Sequence, residues 1–246
     1  TTNSKPSTKG AVTTRVRALG SEFGLRYRAW VDGNLDYVTE KTDSRVGYIH
    51  IPNMMDAGLV EFGRSYYPQT WKDAMIIDER SNGGGQAANY ITEVLSRRHL
   101  SGWKDRDGQV YNTPAGAIHG PKVMLIDQDA GSGGDYLPYS FRTLGIGKLI
   151  GTRTWGGLIG IFANPTLTDG GVITVPFFRF YDTNHEWTVE NQGVAPDIEV
   201  ALDPVATNNG RDTQLEAAIA EVLSQLDGFV DPIPDEQPPF PTELGQ

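Results

Sequence analysis

Ser132 lies in the run Ala130-Gly131-Ser132-Gly133-Gly134-Asp135, between an apolar stretch, Val123-Met124-Leu125-Ile126, and a helix-like stretch from Tyr136 to Leu144. A serine in a glycine-rich turn between a strand and a helix is well placed to be a nucleophile. Its small neighbours leave the hydroxyl clear of the backbone, and the helix N-terminus offers N–H groups to a developing oxyanion. The pattern is one residue away from the Gly-x-Ser-x-Gly elbow, with Ala130 in the first glycine position. The plainer alternative is a tight turn in which Ser132 only caps the helix.

A second turn has the same setting. Asp78-Glu79-Arg80-Ser81-Asn82-Gly83-Gly84-Gly85 ends an apolar stretch and opens a helix. Successive glycines let the backbone approach a ligand and turn N–H groups toward it. In a parallel sheet both turns fall at the carboxyl edge, where ligands bind. The N–H of Gly133, with that of Gly83 or Gly84, would then form an oxyanion hole. No Lys-Ser or Lys-Thr follows Gly85, which argues against a phosphate loop. Glu190, between a strand-like arm and a Gly/Pro turn, reads by itself as a surface carboxylate.

A serine hydroxyl needs a positioned base. Four histidines are available. His50 lies on a strand between Ile49 and Ile51. His99 follows an Arg-Arg pair at a helix end, where a cation suits the dipole. His119 precedes the third strand. His185, in a polar turn five residues before Glu190, is the best candidate in the chain if the β-arm folds over the site. Lys122 and Lys148 read as charges at strand starts.

The elements that must position these groups alternate. Strands are expected at 45–52, 74–78, 122–127 and 148–154, and a short one at 13–19. Helices are expected at 86–98 and 213–226, the latter with Thr213 and Glu216 in capping-box spacing. Residues 21–41 read as a helix or helix pair interrupted near Gly33, and 171–181 as a β-rich arm. Alternation of this kind favours an α/β domain with a mainly parallel sheet. The expected organisation is a polar N-terminal stretch over 1–19, a core over 20–228, and an acidic, proline-rich tail over 229–246.

The 246 residues suffice for one large domain. A net charge of −10 argues against nucleic acid and against a polybasic membrane contact, and no apolar run is long enough to span a bilayer. The absence of cysteine removes disulfides and thiol chemistry. No His-Glu-x-x-His or acidic ligand loop calls for a metal, and no cofactor is expected.

Taken in order, six segments resemble the catalytic core of the tricorn proteases, within the wider family of C-terminal-processing peptidases. They are 26–31, 47–52, 78–85, 131–135, 151–157 and 190–200, spread over about four-fifths of the chain. The resemblance implies a crotonase-like (ClpP-like) α/β core and Ser132 as nucleophile. It also implies oxyanion donors from Gly133 and the Gly83/Gly84 turn. Glu190 matches a glutamate that, in tricorn, supports the catalytic histidine through a second serine. Tricorn-type members assemble as homo-hexamers and cleave oligopeptides, so the implied partners are peptide or unfolded-protein substrates and further copies of the chain. An acidic surface and a large assembly would together fit a soluble cytoplasmic peptidase.

Three departures from the pattern matter. The region that carries the histidine in tricorn, upstream of a PDZ domain, has no counterpart in these residues, and 13–19 reads as a stump of that PDZ domain. The base is therefore expected from outside the chain. Gly133 stands where tricorn has an aspartate, so a preference for basic P1 side chains does not carry over. Gly157 stands near the lysine of the Ser–Lys branch, so no such dyad is expected. Two other classes compete: an α/β-hydrolase-like esterase using Ser132, Asp169 or Asp182, and His185, and a non-catalytic peptide-binding or assembly module.

Overall fold

The computed structural model describes residues 4, 6–161, 166–234 and 236–239. In chain order the elements are α1 (Phe23–Lys41), β1 (Val46–His50), α2 (Asp56–Tyr66), β2 (Ala74–Asp78), α3 (Ala88–Leu95), β3 (Ser101–Lys104), β4 (Val110–Thr113), β5 (Lys122–Ile126), α4 (Gly133–Thr143), β6 (Gly147–Gly151), β7 (Gly160–Ile161), β8 (Pro176–Phe178), β9 (Ile198–Glu199), α5 (Pro204–Asn208) and α6 (Thr213–Leu226).

Five strands form one parallel sheet in the order β1-β2-β5-β6-β9. Its central strands are buried on both faces, as parallel strands covered by helices must be. Side chains alternate between two cores. Met75 and Ile77 of β2 and Met124 and Ile126 of β5 join Phe62, Ile91, Leu137 and Phe141 beneath α2, α3 and α4. Ala74, Ile76, Val123 and Leu125 face the other way, onto Val31 and Val38 of α1 and Leu215, Ile219 and Val222 of α6. The expected α/β architecture is therefore observed, with helices on both faces.

Several local expectations are corrected. Helix α1 runs unbroken through Gly33, whose missing side chain would meet open space, so the glycine costs helix propensity without breaking the helix. Residues 13–19 form no strand. Helix α3 stops at Leu95, and residues 96–98 leave it. The cap of α6 is Asp212, which accepts from the N–H groups of Gln214 and Leu215, not Thr213. In the β-arm only Pro176–Phe178 is a strand, paired antiparallel with β7, and single bridges join Thr166 to Val172 and Tyr181 to Trp187. Lys122 does open β5, and it is buried there, 5 % exposed. Residues 1–3, 5, 235 and 240–246 of the two expected tails lie outside the described residues. No helix among the described residues is long and apolar enough to cross a membrane.

Candidate active site

The loops after β1, β2, β5 and β6 converge at the carboxyl edge of the sheet. Ser132 sits between β5 and α4 with φ 57° and ψ −116°. That is a sparsely populated conformation for a residue with a side chain, and its cost must be met by surrounding contacts. The contacts are visible. The Ser132 N–H donates to Asp135 Oδ2 at 2.8 Å, Gly131 N–H donates to Asn82 O, and Trp155 N–H donates to Ala130 O. The turn is thus held on both sides by the loops that follow β2 and β6.

Asp135 is the hub of this arrangement. Its side chain is fully buried and accepts from Ser132 N, Thr154 Oγ1 (2.5 Å), Gly156 N (2.7 Å) and Gly157 N (3.1 Å). Burial holds its pKa above the ordinary value, and the four donors offset part of that rise. Sequence reasoning gave Asp135 no role. The Ser-x-x-Asp spacing, which lets a side chain three residues into a helix reach back to the cap N–H, was the available signal. Asp127 does similar work one turn earlier, accepting from Ser81, Asp129 and Ala130 N–H groups.

The β2 loop packs directly onto the nucleophile turn. Gly84 has φ +80°, and a Cβ there would lie 2.7 Å from Ser132 Cβ; a Cβ on Gly133 would lie 2.3 Å from Gly85 O. Only glycines permit this approach. Gly133 is the first residue of α4, and its N–H has no acceptor among the described residues. The other two predicted donors are occupied: Gly83 N–H donates to Pro52 O at 3.0 Å, and Gly84 N–H donates to Asn82 Oδ1 at 2.9 Å. The Gly84 bond is made by a side chain within the same turn, so a substrate oxyanion would compete with one Asn82 amide oxygen. The N–H of neighbouring Gly85 has no acceptor among the described residues.

Glu190 faces the loop after Gly157, not the serine. Its Oε2 accepts from Leu158 N–H (2.7 Å) and Ile159 N–H (2.6 Å), and its Oε1 accepts no hydrogen bond among the described residues. Trp155 lies against the nucleophile turn: Cβ atoms on Gly131 and Gly157 would both fall within 2.5 Å of its indole. A longer side chain at position 157 would have to displace that ring.

No histidine or lysine among the described residues hydrogen-bonds Ser132. The buried His50 has both ring nitrogens engaged, 2.8 Å from the Tyr27 hydroxyl and 3.1 Å from Arg80 O. His99 and His119 pair edge to face near the opposite edge of the sheet. His185 is exposed, with its ring stacked on Tyr181, and makes no contact with the serine. Asp169 and Asp182 accept N–H bonds within their own turns. The esterase triad is therefore not assembled.

Behind the β2 loop lies a buried ion pair. Arg80 donates to both oxygens of Asp78 (2.9 and 2.6 Å) and reaches Asp212 at the cap of α6. Burial pushes the Asp78 pKa up, but Arg80 overrides it and the net value falls below the ordinary range. Glu79 is different. It is fully buried, and neither carboxylate oxygen has a partner among the described residues. Burial raises its pKa well above the ordinary value, and Asp127, Asp135 and Asp78 add to the rise.

Residues 45–200 match the model of peptidase family S41. The chain belongs to peptidase family S41. It is 41% identical to the tricorn protease of Thermoplasma volcanium over 214 residues, which is 87% of this chain and 21% of that protein. It is 39% identical to tricorn protease homolog 1 of Streptomyces coelicolor over 210 residues, 85% of this chain and 20% of that one. The crystal structure of the tricorn protease superposes with a TM-score of 0.79 at 39% identity, covering 83% of this chain and 20% of that chain. A solved structure from Parabacteroides merdae, at 22% identity and a TM-score of 0.55, shares the fold over 77% of this chain and 64% of that chain. The chain spans about a fifth of the length of the tricorn relatives it matches.

Proposed function

We propose that this S41 domain is the nucleophile-bearing part of a serine peptidase that cleaves peptides through an acyl-enzyme on Ser132. The observation that carries the reading is the strained Ser132 turn, braced by Asp135 at the carboxyl edge of the sheet, with the Gly133 N–H unclaimed beside it.

In the proposed reaction Ser132 Oγ attacks the scissile carbonyl carbon while a histidine takes its proton. The tetrahedral oxyanion accepts from Gly133 N–H and from the glycine turn, through Gly84 once its N–H leaves Asn82. Collapse breaks the C–N bond, and the histidine returns the proton to the leaving amine. Water then cleaves the ester by the same sequence. Because none of the described histidines or lysines reaches Ser132, the histidine is assigned to polypeptide outside these 246 residues. Glu190, with Oε1 free, is the group offered to the residues that orient it. Assembly into a homo-oligomer, a hexamer on the tricorn pattern, gives a partner to the exposed apolar side chains of the arm, among them Ile161, Ile173 and Phe178.

The test is fluorophosphonate labelling mapped by mass spectrometry. This chain alone, shown folded by circular dichroism, should label weakly or not at all. With the histidine-bearing region supplied, in the same polypeptide or as a separate chain, Ser132 alone should label, and Ser132→Ala should abolish both labelling and peptide cleavage. Strong labelling of the isolated chain would overturn the assignment of the base. An unlabelled full-length protein would overturn the peptidase reading and favour a peptide-binding module.

A further inference from the structure

The amino edge of the sheet carries a cleft that the peptidase reading does not use. It has a volume of 740 Å³ and is bounded by the end of α3, the start of β5, the α4–β6 turn and the residues after α6. β5 begins there at Lys122 and ends at Ile126 near the Ser132 loop, so the cleft and the serine lie about 15 Å apart along the strand.

Its charged lining is cationic. Arg97, Arg98, His119 and Lys122 all line the cleft, and no aspartate or glutamate lines it among the described residues. In a chain of net charge −10 this is a local reversal of sign. Neither Arg97, Arg98 nor Lys122 forms an ion pair among the described residues. Arg97 donates one N–H to Ala115 O, which leaves most of its guanidinium unclaimed. Lys122 donates to Ile118 O (2.5 Å) and Gly120 O (3.2 Å), so one of its three N–H bonds has no acceptor. An ammonium this deeply buried ordinarily has an anionic partner. Here burial alone holds its pKa down, to about 8. His119 shows the same crowding. Burial lowers its pKa first, and Lys122 and His99 lower it further, against an opposing effect of Asp231 from the chain after α6.

A plainer account is that these cations offset helix dipoles, because α3, α4 and α6 all end at the cleft. That account falls short. The terminal carbonyls are already met by local turns: Thr92 O and Val94 O accept from Ser96 and Arg97 N–H, Phe141 O from Ile146 N–H, and Leu223 O from Asp227 N–H. A helix end carries about half a charge that fades within a turn, whereas two guanidiniums and an ammonium bring three whole charges.

We infer that this cleft binds a small oxyanion of the phosphate type, held by the planar N–H forks of Arg97 and Arg98 over the Lys122 ammonium. Guanidinium groups match tetrahedral oxyanions in geometry as well as charge. The inference is independent of the chemistry at Ser132.

The test is calorimetric titration of the folded chain with inorganic phosphate at pH 7 in a low-salt, phosphate-free buffer, with sodium chloride as the ionic-strength control. Saturable 1:1 binding with millimolar or tighter affinity is expected. Arg98→Ala, which removes an exposed side chain, and the double variant Arg97→Ala/Arg98→Ala should weaken it at least 5-fold and 20-fold. A parallel titration with O-phosphoserine separates free phosphate from a phosphoryl group on a larger molecule, and the same variants must weaken whichever binds. Lys122→Met, if folded, should abolish binding. No saturable binding of either probe, or binding that survives the double arginine variant, would overturn the inference.

Discussion

At the scale of single residues, Glu79 shows how the β2 loop is built against a cost. A carboxyl group with no partner among the described residues and three carboxylates nearby resists ionisation, and its raised pKa fixes the sign of its effect. Below the ordinary value of 4.5 both folded and unfolded chains hold the proton, and Glu79 imposes no ionisation cost. Above it the unfolded chain ionises while the folded one does not, so stability falls as pH rises toward the folded pKa. Glu79→Leu should therefore stabilise the chain at pH 7.5, by about 1–3 kcal/mol, the usual cost of an unpaired buried polar group. The gain should shrink toward pH 4. Urea denaturation of both proteins at the two pH values measures it, and an equal loss at both would show that Glu79 has a partner in solution. Nothing in the sequence announces this residue, because burial without a partner is a property of the assembled loop and not of a motif.

At the scale of elements, Asp135 fastens the start of α4 to the loop after β6 through four donors. Asp135→Asn keeps the shape but replaces one accepting oxygen with an NH2 group, which leaves at least one N–H pair unmatched. The expected cost is about 2–4 kcal/mol, read as a lower urea midpoint. Peptide cleavage by the longer polypeptide should fall in kcat more than in KM, because the Ser132 turn loses its brace. An unchanged midpoint would remove Asp135 from the positioning role. This element scale also marks what the sequence could and could not convey. The apolar runs 74–78 and 122–126 declare buried parallel strands, and the glycine turns after them declare the site edge. Helix α2 stays hidden because Gly58 and Gly63 dilute its apolar face of Leu59, Phe62 and Tyr66. Gly58 is required there, since a Cβ would lie 1.8 Å from Asn53 O. The β3–β4 hairpin is largely exposed and lacks the strict alternation of a buried strand. The two-residue strands β7 and β9 exist only through their partners.

At the scale of the whole molecule, the sheet separates two regions of opposite character. The carboxyl edge gathers Asp78, Glu79, Asp127 and Asp135 around a serine, and the amino edge gathers cations. The sequence made the first edge readable, because its loops follow strands directly. It left the second obscure, because Arg97, His119 and Lys122 come from segments whose meeting depends on how the chain returns. The proposed self-association belongs to this scale as well. Light scattering should give a mass that is a multiple of 26.9 kDa, six-fold on the tricorn pattern, and a 26.9 kDa particle would show that these residues do not assemble by themselves.

The wide sequence spacing of the site has a consequence for synthesis. The nucleophile turn rests on Gly84 from one side and on Thr154, Gly156 and Gly157 from the other, and Thr154 in turn bonds Val194. A chain leaving the ribosome has exposed Ser132 long before residue 194 emerges. Until then the turn lacks its braces, and a half-made copy carries the serine without the contacts that hold its backbone. In the proposed peptidase the nucleophile would therefore be set last, by the return of the segments around 154–157 and 194 onto a turn made much earlier.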